Sequence, residues 1–228
     1  MGFKDFLAAL IPGGLGRVIE TAQKAGDGSQ GPSVDQAPAI GTKKLDRLYN
    51  PQRDNKQRPS GSCNVTSVQM AIQKGSSVTD DQLFLRANSK EMKAWVRKNY
   101  PNLEDRYFKE DRMNILWPVL EKLARDEIGK EYAKWYEPGT PFQELMQKIR
   151  GEIDLGYPVV VGGRFTASGH IILVVGYSPT GLICHDPYGV APDYKNHNGA
   201  YVTYTYEYLK KVLSGRHLLI HDDRRVPI

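Results

Sequence analysis

The placement of the strand-forming residues restricts the fold most. Five runs of β-branched and aromatic residues, YPVVVGG at 157–163, HIILVVGY at 170–177, GLICHD at 181–186, YVTYTYEY at 201–208 and RHLLIHDD at 216–223, follow one another near the end of the chain. Gly, Pro or Asp bounds them. Upstream the apolar period lengthens to that of a helix. Residues 64–74 read as a helix closed by Gly75, and 80–99 as one or two more, anchored by Leu83, Leu85, Met92, Trp95 and Val96. Residues 114–127 and 141–154 follow the same spacing, through Leu116, Val119, Leu120 and Leu123, then Phe142, Leu145, Met146 and Ile149. Helices first and closely spaced strands afterwards predict an α+β fold with a mainly antiparallel sheet rather than a doubly wound one. With 228 residues, 40% of them hydrophobic, the chain can bury a sizeable core.

The start of the chain has a different character. Phe3, Phe6, Leu7, Leu10 and Ile11 are spaced as one stripe of a short helix, and Leu15, Val18, Ile19 and Ala22 repeat the pattern beyond a Pro-Gly-Gly break. Residues 25–43, rich in Gly, Ser, Pro and Gln, have the composition of a flexible linker. The expected division is an amphipathic helical extension at 1–24, a linker at 25–43 and a domain at 44–228. Such an amphipathic pair either packs back onto the main domain or, on its leash, docks to a protein carrier.

Charge and cysteine usage exclude several classes. The net charge is +5, and residues 1–43 balance Lys4, Arg17, Lys24 and Lys43 against Asp5, Glu20, Asp27 and Asp35, so the excess lies further on. No Lys/Arg cluster exceeds a pair, which argues against dedicated nucleic-acid binding. No apolar run is long enough for a transmembrane segment. Asp5 and Pro12 interrupt what would otherwise resemble a signal peptide, so Sec export is not expected. Two cysteines without a C-x-x-C pair supply neither a disulfide framework nor a structural zinc site.

One of those cysteines, Cys63 in SGSCNVTSVQMAIQKG, stands where a Gly/Ser turn enters a helix. Unpaired N–H groups at a helix start favour thiolate over thiol and can also face a developing oxyanion. A thiolate nucleophile needs a proton partner. Among five histidines His170 is singled out, because TASGHIILVVGY sets it at the mouth of an apolar strand after a Gly/Ser turn. Asp186 in GLICHDPYG ends the next run, the natural neighbour of the His170 strand, where a carboxylate could hold the imidazole by Nδ1–H. Each has a plainer reading, as a structural histidine and a turn aspartate. Cys184 reads as a buried structural thiol, and His185 should face away from Asp186. Tyr201, Tyr204, Tyr206 and Tyr208 read as sheet packing, with an exposed subset able to stack on sugar rings.

Taken together, SCNVTS with PQRDN upstream, GHIILVVGY and ICHDPYG resemble the papain-like cysteine peptidases of the bacteriocin-processing type, peptidase family thirty-nine, whose relatives occur in bacterial secreted proteins and in phages. The resemblance spans roughly residues 48 to 220 and rests on three short motifs in the right order. It implies a papain-like fold, a nucleophile at Cys63, a base at His170, an orienting carboxylate at Asp186 and a glutamine amide beside the oxyanion. That glutamine is Gln52 in PQRDN, with Gln57, six positions before Cys63, as its rival. Asn64 stands where many relatives have Gly, a departure that touches substrate approach. The implied reaction is hydrolysis of a peptide or amide bond without metal or organic cofactor. Peptidoglycan peptides are the leading substrate, met by a virion-borne or lysis-released enzyme. The alternatives are a peptidase that processes one protein partner and a catalytically silent module of a larger assembly.

Overall fold

A computed structural model of the chain describes residues 41–228, so the expectations for 1–24 and for the linker up to residue 40 lie outside the described residues. Helix α1 (Cys63–Ala71) is followed by α2 (Asp80–Ala87), α3 (Lys90–Asn99), α4 (Asp105–Lys109) and α5 (Trp117–Ile128). A short strand β1 (Lys43–Lys44) precedes them, and β2 (Ala133–Tyr136) and α6 (Phe142–Leu155) come next. The chain closes with β3 (Val159–Gly163), β4 (His170–Tyr177), β5 (Gly181–His185), β6 (Val202–Thr205), α7 (Tyr206–Val212) and β7 (Leu213–Ile220).

All pairings in the sheet are antiparallel, in the order β2-β7-β3-β4-β5-β6, with β1 added to the end of β4 through Lys43 opposite Tyr177. The molecule is therefore α+β. Both faces of the sheet are covered, which explains why the strands read as unbroken apolar runs rather than alternating ones. Val160, Ile171, Leu173, Val175 and Leu218 turn toward Val65, Val68, Leu83, Leu120 and Leu123. Their strand neighbours Val159, Val161, Ile172, Val174 and Leu219 pack against Leu145, Met146, Ile149 and Ile153 of α6. Burial of each such side chain contributes about 1.5–3 kcal/mol.

Helix α1 lies deepest, with Asn64 through Val68, Met70 and Ala71 all buried. Its small polar residues have partners: Ser67 Oγ donates to the Ile171 carbonyl (3.2 Å) and Thr66 Oγ1 to Asp80 Oδ2 (2.8 Å). The first bond seats α1 on β4 and the second ties it to the start of α2. Thr79 and Gln82 form a capping box at α2, and Ser89 accepts from the Met92 amide at α3.

Several elements differ from the sequence expectation. The 80–99 segment is two helices, as its spacing allowed, but the expected anchor Leu85 is exposed because Leu83, Phe84 and Ala87 supply the inward face of α2. The run 201–208 is strand only to Thr205. There the Thr205 hydroxyl accepts from the Tyr208 amide and starts α7, whose Glu207 and Lys211 pair at i,i+4. The last strand begins at Leu213, ahead of the expected 216, and the edge strand β2 and helix α4 were not expected. Lys43, placed in the linker, is already strand. Of the four tyrosines at 201–208, Tyr204 is buried and Tyr201, Tyr206 and Tyr208 are half-buried against the core clusters.

Candidate active site

Cys63 is the first residue of α1 and is half-buried. The amides of a helix's first turn have no intrahelical acceptor. His170 opens β4 directly after Gly169, whose φ of 86° a side chain would resist; Thr166 and Gly169 bond to each other to close that turn. Because α1 packs on β4, the first residue of each comes to the same cleft, where the imidazole and the Cys63 sulfur act on each other's charge.

Asp186 follows β5 and is fully buried. Its amide donates to the Gly199 carbonyl (2.9 Å), and a Cβ at residue 199 would stand 1.9 Å from the Asp186 carbonyl oxygen, so only glycine lets the two strands of chain approach this closely. The carboxylate is held at both oxygens. Oδ1 lies 2.7 Å from His170 Nε2 and also accepts from the Tyr188 amide (3.0 Å), while Oδ2 accepts from the Tyr204 hydroxyl (2.8 Å). The bond to Nε2 corrects the expectation of Nδ1. Asp186 lies beyond the end of the neighbouring strand and reaches the far side of the ring, and the nitrogen nearer the backbone is left for Cys63.

Edges and faces of Phe165, Tyr188 and Tyr194 surround the imidazole, with ring centroids 5.9 to 6.3 Å away. In this setting burial alone would push the Cys63 thiol up, but the adjacent imidazolium, its hydrogen bond and the amides of Ile171 and Asn64 outweigh burial and bring it below its ordinary value. Burial likewise opposes a charged His170, yet Cys63 and Asp186 push it up to about 10. Each charge exists because the other does. The pair favours thiolate and imidazolium together.

An open cleft runs over the sulfur in two lobes. One, of about 640 Å³, is lined by Gln52, Arg58, Gly61, Thr166 and Tyr188; the other, of about 340 Å³, by Trp117, Gly162, Gly163, Arg164 and Arg216. Cys63, Asn64, Ile115 and His170 belong to both. Trp117 closes onto backbone at Gly162, where a Cβ would stand 2.7 Å from the indole. Gln52 is buried, donates Nε2 to the Pro59 carbonyl (3.0 Å), and is tied to the loop after Asp186 by its amide to the Pro187 carbonyl (2.8 Å). Gln57 is exposed and outside both lobes. Asn64, the departure after the nucleophile, keeps its side chain in the interior: Oδ1 accepts from the Val65 amide (2.9 Å) and from Asn114 Nδ2 (3.1 Å).

Cys184 is fully buried, and burial raises its thiol well above the ordinary value. His185 is fully buried and satisfied, with Nε2 2.9 Å from the Arg47 carbonyl and Nδ1 3.1 Å from the Tyr201 amide. Sequence reasoning missed Tyr204, Tyr188, Tyr194, Trp117 and the cleft arginines. Tyr204 was within reach: it alternates on the strand beside GLICHD, and its hydroxyl needs a partner if its ring is buried.

A thiol, an imidazole and a carboxylate thus gather at the seam between a helical layer and an antiparallel sheet, in a chain whose family is one of cysteine peptidases. More particularly, residues 44–214 match the Peptidase_C39 like family, and the chain belongs to it. Among solved structures, a protein from Bacillus anthracis described as a C39-like peptidase is similar at 14% identity, with 78% of this chain and 97% of that one covered and a TM-score of 0.46. No curated protein matches the sequence. Among the described residues no helix is long and apolar enough to cross a membrane.

Proposed function

We propose that this cysteine peptidase works through Cys63, His170 and Asp186 and that its substrates are the stem or bridge peptides of peptidoglycan. The observation that carries the catalytic part is Cys63 and His170 together on the floor of an open cleft, with Asp186 Oδ1 2.7 Å from His170 Nε2 behind them. The Cys63 thiolate adds to the amide carbonyl, and the oxyanion is met by the Cys63 N–H and the second N–H of Gln52 Nε2. Imidazolium His170 gives its proton to the departing amine as the C–N bond breaks, leaving a thioester. Neutral His170 then takes a proton from water as that water attacks, and the thiolate leaves. Asp186 keeps the ring oriented throughout.

For the substrate, support comes from the positive net charge, which suits an anionic wall polymer, and from the sequence resemblance to phage and wall-associated relatives. A virion-borne or lysis-released enzyme docked by residues 1–24 fits the same reading. Purified murein incubated with the full chain under reducing conditions should release new amino groups, and the Cys63→Ala chain should release none. Intact murein beside a single cleaved protein partner would select a processing peptidase instead.

A further inference from the structure

The smaller lobe of the cleft holds two guanidinium groups and no carboxylate. Arg164 follows β3, and Arg216 lies on β7. Their segments are fastened together: the Arg164 amide donates to the Val212 carbonyl (2.7 Å), and Ser214 Oγ donates to the Gly162 carbonyl (2.8 Å). Among the described residues neither arginine side chain has an ion pair or a hydrogen bond, and Arg216 Nε is buried with no acceptor. In the other lobe Arg112 is paired with Glu110 and, among the described residues, only Arg58 is left without an ion pair, so the smaller lobe is where two unpaired guanidinium groups stand together. Two like charges beside a Trp117 wall without a counter-ion repel until an anion arrives; Arg216, half-buried with its Nε withdrawn from water, loses little freedom when it binds one, and exposed Arg164 supplies the second charge.

We infer that Arg164 and Arg216 form a carboxylate-binding subsite, so that the peptide cleaved at Cys63 carries a carboxylate on that side of the scissile bond. The inference rests on Cys63 being the nucleophile only for the word "cleaved"; recognition stands by itself. A lobe of about 340 Å³ is short, and extended chain advances about 3.3 Å per residue, so the carboxylate lies within about two residues of the bond.

The test is binding to the full chain carrying Cys63→Ala, read by fluorescence anisotropy. The probes are dansylated hexapeptide mixtures in which one position at a time is fixed as Glu or as Gln and the rest are randomised. Glu at one or two adjacent positions should bind about five- to tenfold more tightly than Gln, as a partly desolvated guanidinium–carboxylate pair supplies. The preference should shrink with added salt and vanish in Arg164→Gln/Arg216→Gln, while Arg58→Gln in the other lobe leaves it in place. Equal binding of Glu and Gln at every position, or a preference that survives the double substitution, overturns the subsite. Iodoacetamide labelling of Cys63 separates the two ideas. Slow labelling with the Glu preference intact sinks the nucleophile alone, and fast labelling in both the wild type and the double variant, without the preference, sinks the subsite alone. Mixtures carrying γ-linked D-glutamate, which presents its α-carboxylate as a wall stem peptide does, distinguish that source from an acidic protein segment.

Discussion

The molecule contains two regions in which a cysteine and a buried histidine lie close together, and they behave in opposite ways. Cys63 and His170 begin two different elements that pack against each other, and their side chains meet; Cys184 and His185 are consecutive on β5 and point to opposite faces. Both histidines are almost wholly enclosed. Burial, with Lys44 nearby, lowers His185 below its ordinary value despite the Arg47 carbonyl, whereas at His170 a sulfur and a carboxylate reverse the same burial cost. Burial sets a cost for charge, and the neighbours decide whether it is met.

The largest expected effect breaks the comparison at its sulfur atoms. Cys63→Ala should lower hydrolysis on the order of 10⁴-fold or more, as loss of a nucleophile does in triad enzymes. Cys184→Ala should leave kcat/KM within about twofold and cost stability by roughly 1 kcal/mol as a small core cavity, read from the urea midpoint. In the wild type, mass-mapped iodoacetamide labelling should modify Cys63 at least about a hundredfold faster than Cys184, since thiolate fraction and access both favour it. Equal, slow labelling would leave the site silent.

The histidines come next. His170→Gln should abolish turnover and return the labelling profile of Cys63 toward that of an ordinary thiol, because the imidazolium that lowers it is gone. His185→Gln should keep both turnover and labelling, and lose about 1–2 kcal/mol of stability through the broken bonds to Arg47 and Tyr201. The pH dependence follows from the directions of the two shifts. Labelling should rise as pH climbs through the lowered Cys63 value, below where a free thiol titrates, and then stay high. Hydrolysis also needs the proton on His170, so it should fall as pH rises through about 10 while labelling does not. A hydrolysis limit near neutrality would contradict the ion pair.

Much of the same contrast could be read from residues alone, for identifiable reasons. Strands covered on both faces write long apolar runs, so HIILVVGY and YPVVVGG announce themselves, and Gly or Pro beside Cys63, His170 and Asp186 sets each at the end of an element. What a linear reading lacks is the third dimension of the ring. Nothing in GHIILVVGY tells which imidazole nitrogen meets Asp186, because that depends on how α1 crosses β4. The run YVTYTYEY hid its change from strand to helix because its aromatic residues suit either, and the deciding signal was a single capping hydroxyl at Thr205. Arg164 and Arg216 lie far apart in sequence order and meet only through the β3–β7 pairing.

The smallest effect tests how firmly the active pair is held. Tyr204, assigned from sequence to packing, donates to Asp186 Oδ2 and accepts from the Ala191 amide (2.9 Å), and burial beside Asp186 raises its phenol so that it stays a donor. Tyr204→Phe keeps the ring and its contacts with Phe165 and Tyr208 but leaves one carboxylate oxygen without its partner. A hydrogen bond to a charged group contributes about 1.5–3 kcal/mol, and the Tyr188 amide and His170 still hold Oδ1, so only part of that should reach the transition state. The expected result is a fall in kcat of about three- to tenfold with KM unchanged. Without the donor, Asp186 is freer to turn from Nε2, which weakens the support that keeps His170 protonated and moves the alkaline limit of hydrolysis downward. A purely structural tyrosine would lower the urea midpoint and leave that limit where it is.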